Sequence, residues 1–129
     1  MSRVSVYPSQ IDVCSWIKTN QEQVQSHPAW HGNIDVERAE TLLQGNSPFA
    51  YLLRKGAEEN AYFITFIKED QSIKHQRFTL EYDHKGWFYK NGATGSGVTK
   101  IIAPVIEELI PQMMHCDIME CKAVQPSKN

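Results

Sequence analysis

Phe49-Ala50-Tyr51-Leu52-Leu53-Arg54 reads as an apolar strand that ends in a fixed positive charge. Successive side chains of a strand point to opposite faces, so Ala50, Leu52 and Arg54 share one face and Phe49, Tyr51 and Leu53 the other. Both faces are apolar up to the arginine, which predicts cover on both sides. A buried guanidinium is costly unless an anion or several acceptors pair with it. Two kinds of partner are open: a carboxylate of the protein itself, with Glu40 and Glu58 as candidates, or an anion such as a phosphate brought by a ligand.

Strand-like segments follow at short range. Ala61 to Lys68 is rich in aromatic and β-branched residues, and Ile73 to Tyr82 is longer. Asp83-His84-Lys85-Gly86 reads as a hairpin turn, with Trp87 to Lys90 as a short return strand. Connections this short demand antiparallel pairing, because a parallel crossover needs many more residues.

Helical patterns lie on both sides of this sheet. Upstream, Asp35 is a good N-cap for a helix over Val36 to Gln44, whose Val36, Ala39, Leu42 and Leu43 form its buried stripe. Gly45-Asn46-Ser47-Pro48 stops it. Further upstream, Ser9 with Asp12 can cap a helix from Gln10 to Gln25. Its apolar residues, Ile11, Val13, Cys14, Trp16 and Ile17, lie in the first half, so the Gln/Glu-rich second half is expected to be solvated. Downstream, Val98, Ile101, Ile102, Val105, Ile106 and Leu109 fit the 3.6-residue period. They predict a last helix over Val98 to Leu109, kinked at Pro104 and ended by Pro111. Residues 112–122 read as a short strand or packed tail, and Val124 to Asn129 as disordered. The fold class is α+β: a central antiparallel sheet flanked by two helices, with an extra N-terminal helix. The expected organisation is an N-terminal extension over 1–28, one domain over 29–122, and a loose tail over 123–129.

Composition narrows the function classes. The 129 residues suit one domain, and 41% hydrophobic with 22% charged residues is ordinary for a globular chain. A formal net charge of −2 argues against a general nucleic-acid binder, so an anion site has to be a focused pocket. Cys14, Cys116 and Cys121 are odd in number and lack CxxC spacing, which favours reduced thiols and a cytoplasmic setting. His115, Cys116 and Cys121 match no zinc ribbon or finger, so neither a metal nor any other cofactor is expected. No signal pattern and no long apolar span is visible, and no membrane role is expected. The five histidines show no ligand or triad spacing, and no nucleophile–base arrangement suggests catalysis.

The order of the pieces resembles the SH2 domain family. Trp30-His31-Gly32-Asn33-Ile34 is similar to that family's aromatic-His/Phe-Gly-x-Ile opening, and Ala39-Glu40-Thr41-Leu42-Leu43 to its Ala-Glu-x-Leu-Leu helix. Tyr51-Leu52-Leu53-Arg54 is similar to its Phe-Leu-Val-Arg strand. Tyr62-Phe63-Ile64-Thr65 and Lys74-His75-Gln76-Arg77-Phe78 match the next two strands, and Phe88-Tyr89 the small return strand. The resemblance runs from Ala29 to about Met114. It implies a module that binds phosphotyrosine in proteins: a monomeric, cytoplasmic signalling adaptor whose partners are tyrosine-phosphorylated proteins or peptides. One source considered is a bacterial effector acting in the cytoplasm of a host cell.

The resemblance places Arg54 at the phosphate. A guanidinium fork makes two charge-assisted bonds to phosphate oxygens, which lysine cannot copy. Arg77 matches the second basic position, on the same side as His75, which shapes the groove beside the phosphotyrosine. Lys55 opens the next loop, although alternation points it away from Arg54. Backbone N–H groups of Gly56 and Ala57 are candidates for an anion nest. The chain departs from the family pattern at Val36, where a basic residue is usual, and at Glu58 and Glu59, in a loop that often carries hydroxyls. The small residues of Asn91 to Gly97, with a short loop after Leu109, predict little sequence preference beyond the phosphotyrosine.

Two rival readings remain. One is an SH2-like scaffold that binds a partner without phosphate. The other is a nucleotide-binding enzyme using Gly92-Ala93-Thr94-Gly95-Ser96-Gly97, which follows a strand and would precede the predicted helix. Val98 stands where a dinucleotide fingerprint needs its third glycine, and Gly97-Val98-Thr99-Lys100 is not a P-loop order.

Overall fold

The computed structural model describes residues 10–82, 86–91 and 99–126. The chain runs α1 (Gln10–Gln25), α2 (Val36–Leu43), β1 (Ala50–Lys55), β2 (Ala61–Ile67), β3 (Ile73–Glu81), β4 (Gly86–Asn91), β5 (Thr99–Ala103), α3 (Ile106–Met114), a 3-10 turn (Ile118–Glu120) and β6 (Lys122–Ala123). The strands form one sheet in the order β5-β4-β3-β2-β1-β6. Strands β1 to β5 pair antiparallel in sequence order, and β6 runs parallel to β1. The α+β class with a helix-flanked antiparallel sheet is therefore as expected.

Alternation along β1 divides the molecule into two cores. Ala50 and Leu52 meet Ala39 and Leu43 of α2, together with Ile67. On the other face, Tyr51 and Leu53 join Tyr62, Phe78 and Trp87 of the sheet and Ile106, Leu109 and Met113 of α3. The rings of Tyr62, Phe78 and Trp87 lie 5.5–5.7 Å apart, and Trp30 packs on Tyr62 at 5.8 Å. Each fully buried side chain of this size stabilises the fold by about 1.5–3 kcal/mol.

The edge of β1 away from β2 is closed by both ends of the domain. Leu53 N–H donates to Ala29 O, His31 N–H to Leu53 O, and Lys55 N–H to Gly32 O, at 2.8–2.9 Å. Farther along the same edge, Lys122 and Val124 donate to Phe49 and Tyr51. His31 Nε2 lies 2.7 Å from Val124 O and ties the two segments together. A strand with a covered edge offers no template for stray pairing, and here the cover also fixes the position of Arg54.

Local signals explain the element ends. Asp35 caps α2, its carboxylate accepting from Arg38 N–H at 2.8 Å. β1 begins one residue later than expected because Phe49 has φ of 71°, outside the strand region.

Several expectations are corrected. The segment predicted as a helix over Val98 to Leu109 is instead the strand β5 followed by α3. Ile101, Ile102 and Val105 are β-branched and stiff, which favours strand, and Pro104 would cost the interior of that helix a backbone hydrogen bond. Pro111 does not end the helix; α3 runs through it to Met114, and His115 caps it in the left-handed region. The second half of α1 is not wholly solvated, since Val24 is fully buried in the main core. Val36, expected in the buried stripe of α2, is instead exposed, because it opens the helix before the turn that meets the sheet. Val124, expected to begin a disordered tail, is held by two hydrogen bonds. The Ser9 cap, the tip of the Asp83–Gly86 turn, most of the Asn91–Gly97 loop and residues 127–129 lie outside the described residues.

Candidate functional site

The sheet register brings the expected basic residues to one face. Arg54 stands opposite Phe63, and Phe63 opposite Arg77. One pair along, Leu52, Thr65 and His75 form the next row. Directly opposed residues share a face, so Arg54, His75 and Arg77 all lie on the α2 side.

Arg54 is only 5% exposed, and its guanidinium packs over the Phe63 ring with 4.7 Å to the centroid. Its Nε donates to Thr65 Oγ1 at 3.1 Å and its Nη2 to His75 Nδ1 at 3.1 Å. Arginine can only donate, so His75 Nδ1 must be the acceptor. The proton then sits on Nε2, which donates to Glu40 Oε2 at 2.7 Å. With Nδ1 bare, Thr65 Oγ1, 2.9 Å away, is a second donor that shares the same lone pair. Burial pushes the Arg54 pKa down, while the charges of Asp35 and Glu40 pull it back up.

Among the described residues Arg54 forms no ion pair; Glu40 bonds His75 and Glu58 pairs with Arg77. The internal salt bridge to Glu40 or Glu58 that the sequence left open is thus not made. A guanidinium has five N–H groups, and two of them are used here. The remaining three have no protein partner among the described residues and suit a planar, multi-oxygen anion.

The other expected contributors divide. Arg77 is half exposed and joined to Glu58. Lys55 turns to the opposite side, its ammonium donating to Gly56 O at 3.3 Å and Glu58 O at 3.1 Å, near the Tyr62 ring. The Gly56 N–H already donates to Ala61 O at 2.9 Å, so it cannot complete an anion nest. A Cβ at Gly56 would lie 2.7 Å from that same carbonyl oxygen, so close backbone approach is what requires glycine here. Ala57 is exposed in the following turn. A cavity of about 420 Å³ adjoins Arg77 but not Arg54, and its wall carries Glu58, Glu59 and Glu81. That wall repels anions, so Arg54 and not the cavity marks the candidate anion site.

Thr65 escaped the sequence reading, because a threonine in a strand reads as an ordinary β-former. Its full burial beside an arginine is the signal that finds it. The enzyme reading of the glycine run loses its context: the run joins the antiparallel strands β4 and β5 and does not lead from a strand into a helix.

No curated protein matches the chain. The solved structure of the Monosiga brevicollis CRK/CRKL homolog (crka1) SH2 domain is similar, with 14% identity and a TM-score of 0.56 over 78% of this chain and 89% of that one. The VAV1 SH2 domain, solved with a tyrosine-phosphorylated peptide from SLP76, has 16% identity and a TM-score of 0.48 over 100% of this chain and 84% of that one. At such identity the crka1 likeness speaks for the fold alone. The sequence pattern of the SH2 domain matches residues 30–103, more than half of the chain and the whole span from Trp30 to the end of β5. This chain belongs to the SH2 domain family.

Proposed function

We propose that this domain binds tyrosine-phosphorylated proteins or peptides, with the phosphate held by Arg54 and flanked by Arg77. SH2 domains generally bind phosphotyrosine peptides. The observation that carries the reading is the buried Arg54 guanidinium, which among the described residues has no carboxylate partner and keeps three N–H groups unused. A phosphate on a long rigid phenol reaches such depth, and a phosphoserine is too short. His75 borders the same site.

Low sequence preference is part of the proposal. It is supported by the small residues of Asn91–Gly97, which offer no apolar wall. Downstream of α3 the chain carries exposed Ile118 and Met119, so any apolar contact from that side comes from a turn and not a deep pocket. The module is proposed to be a monomeric, non-enzymatic adaptor of the cytoplasm. Its cysteines are unpaired, and no described helix is long and apolar enough to cross a membrane.

Calorimetric titration with a phosphotyrosine peptide tests the reading. The wild type should bind it and ignore the unphosphorylated peptide. Arg54→Ala should lose at least about 30-fold in affinity, as expected when a buried charged partner is truncated. Arg54→Lys should fail nearly as badly, because the fork is lost. Equal affinity in wild type and Arg54→Ala overturns the site; no binding by the wild type favours the phosphate-independent scaffold. A phosphopeptide array that returns one sharply defined downstream residue removes the low-preference part.

A further inference from the structure

We propose that Glu40 is a positioning residue for the phosphate anchor, acting through His75; the inference rests on Arg54 being that anchor. Three elements meet at this point. Glu40 comes from α2, Arg54 from β1 and His75 from β3. The contacts form a chain in which each proton position is dictated by the one before it. Arg54 Nη2 faces His75 Nδ1 at 3.1 Å, and a guanidinium has no lone pair to offer. Nδ1 must therefore be bare. The ring proton is left on Nε2, and the atom 2.7 Å from Nε2 is a carboxylate oxygen of Glu40, which can only accept while ionised.

Glu40 thus selects the tautomer in which His75 offers an acceptor to Arg54. Without that carboxylate the ring is free to carry its proton on Nδ1 or to flip. The first sets an N–H against the guanidinium N–H and the second a C–H, so the acceptor is lost in both. Arg54 would then keep only the Thr65 bond on this side, and the fork would no longer be aimed. The imidazole also separates the carboxylate from the guanidinium, so Arg54 is held by neutral acceptors and retains its charge for a ligand. The roles follow the logic of a base oriented by a buried acid, with no proton transferred. Glu40 makes no hydrogen bond or ion pair with Arg54, and its side chain is 42% exposed, so replacing it leaves the core intact.

Two variants separate this role from a purely electrostatic one. Glu40→Gln keeps an oxygen that accepts from Nε2–H and loses the charge. Glu40→Ala loses both. Glu40→Ala is expected to bind a phosphotyrosine peptide about tenfold more weakly, the scale of one charge-assisted hydrogen bond. Glu40→Gln is expected to stay within about threefold of the wild type, because the orienting bond survives. If charge alone mattered, the two variants would behave alike, and if the carboxylate merely repelled the phosphate, both would bind more tightly. Either result overturns the proposal.

A second readout needs no ligand. Nitrogen-15 NMR of the free wild-type protein should show His75 protonated at Nε2 and bare at Nδ1, and Glu40→Ala should show a mixture. A wild-type His75 protonated at Nδ1 refutes the inference outright. If Arg54→Ala binds peptide as well as the wild type, the functional reading has failed, while the tautomer measurement still decides whether Glu40 sets the state of His75.

Discussion

Arg54 and Glu40 carry opposite charges and do not touch: His75 stands between them, 3.1 Å from the guanidinium and 2.7 Å from the carboxylate. A protein that needed Arg54 only for stability would have closed that gap with a direct ion pair. Among the described residues the arrangement instead satisfies two of five N–H groups with neutral acceptors and leaves a desolvated charge. Its cost should be visible when the charge is removed.

Arg54→Met tests that cost. The methionine fills the strand position above Phe63, and Thr65 can still donate to His75 Nδ1. Replacing buried ionic groups by well-packed apolar ones is often neutral or stabilising by about 1–4 kcal/mol. We therefore expect urea denaturation of Arg54→Met to give a stability equal to or above that of the wild type, with phosphotyrosine binding lost. A drop of several kcal/mol would mean that Arg54 is a structural residue.

Arg77 and Glu58 make the second test. Their ion pair is exposed, so it contributes at most about 1 kcal/mol to stability. It does occupy a guanidinium that would otherwise face the ligand. Glu58→Gln is expected to tighten phosphopeptide binding by a few-fold, and Arg77→Ala to weaken it less than Arg54→Ala does. In the Arg77→Ala background, Glu58→Gln should have little further effect. A large gain there would show that Glu58 acts on the ligand directly.

Gly56 divides a binding role from a packing role. Its N–H bonds Ala61 O at 2.9 Å, and a Cβ would meet that oxygen at 2.7 Å. Gly56→Ala must push the β1–β2 connection away from β2 and strain its first hydrogen bond. Overpacking of this kind costs about 1–3 kcal/mol. Chemical denaturation should register that loss, with peptide affinity nearly unchanged once the protein is folded.

Much of this architecture is legible in the sequence, because strand alternation and capping are local. Ala50, Leu52 and Arg54 share a face as their spacing requires, and Asp35 caps the helix that it precedes. The stretch from Val98 to Leu109 misleads because its apolar spacing fits a helical period while its β-branched residues and Pro104 favour a strand and a break. At the site, alternation foretells that His75 and Arg77 share a face; that it is also the face of Arg54 depends on the strand register, which no local pattern gives. The link from His75 to Glu40 is not foretold, because it depends on how α2 docks on the sheet, and no local pattern encodes that. Gly56 shows the converse error. A glycine after an arginine suggests an anion nest, whereas here it is required by a neighbouring carbonyl.

The last prediction concerns alkaline pH. Cys116 and Cys121 lie with sulfurs 3.5 Å apart beneath the end of α3. Burial first, and then Cys121, pushes the Cys116 thiol from 9.0 up to about 12; burial also raises Cys121. A thiol with a raised folded pKa keeps its proton in the folded state after the unfolded chain has lost it. Folded molecules then hold more protons than unfolded ones, so stability is fully present below pH 9 and declines as pH rises towards 12. Between about pH 9 and 10, before unfolded tyrosines ionise, Cys116 contributes a fall of at most about 1.4 kcal/mol per pH unit, reduced by solvent screening of this half-buried thiol. Denaturation curves across that interval should show the decline, and Cys116→Ala should flatten it. The same burial predicts that a thiol reagent modifies exposed Cys14 first and the pair slowly. Three equally fast thiols would show that Cys116 and Cys121 are not held in this environment.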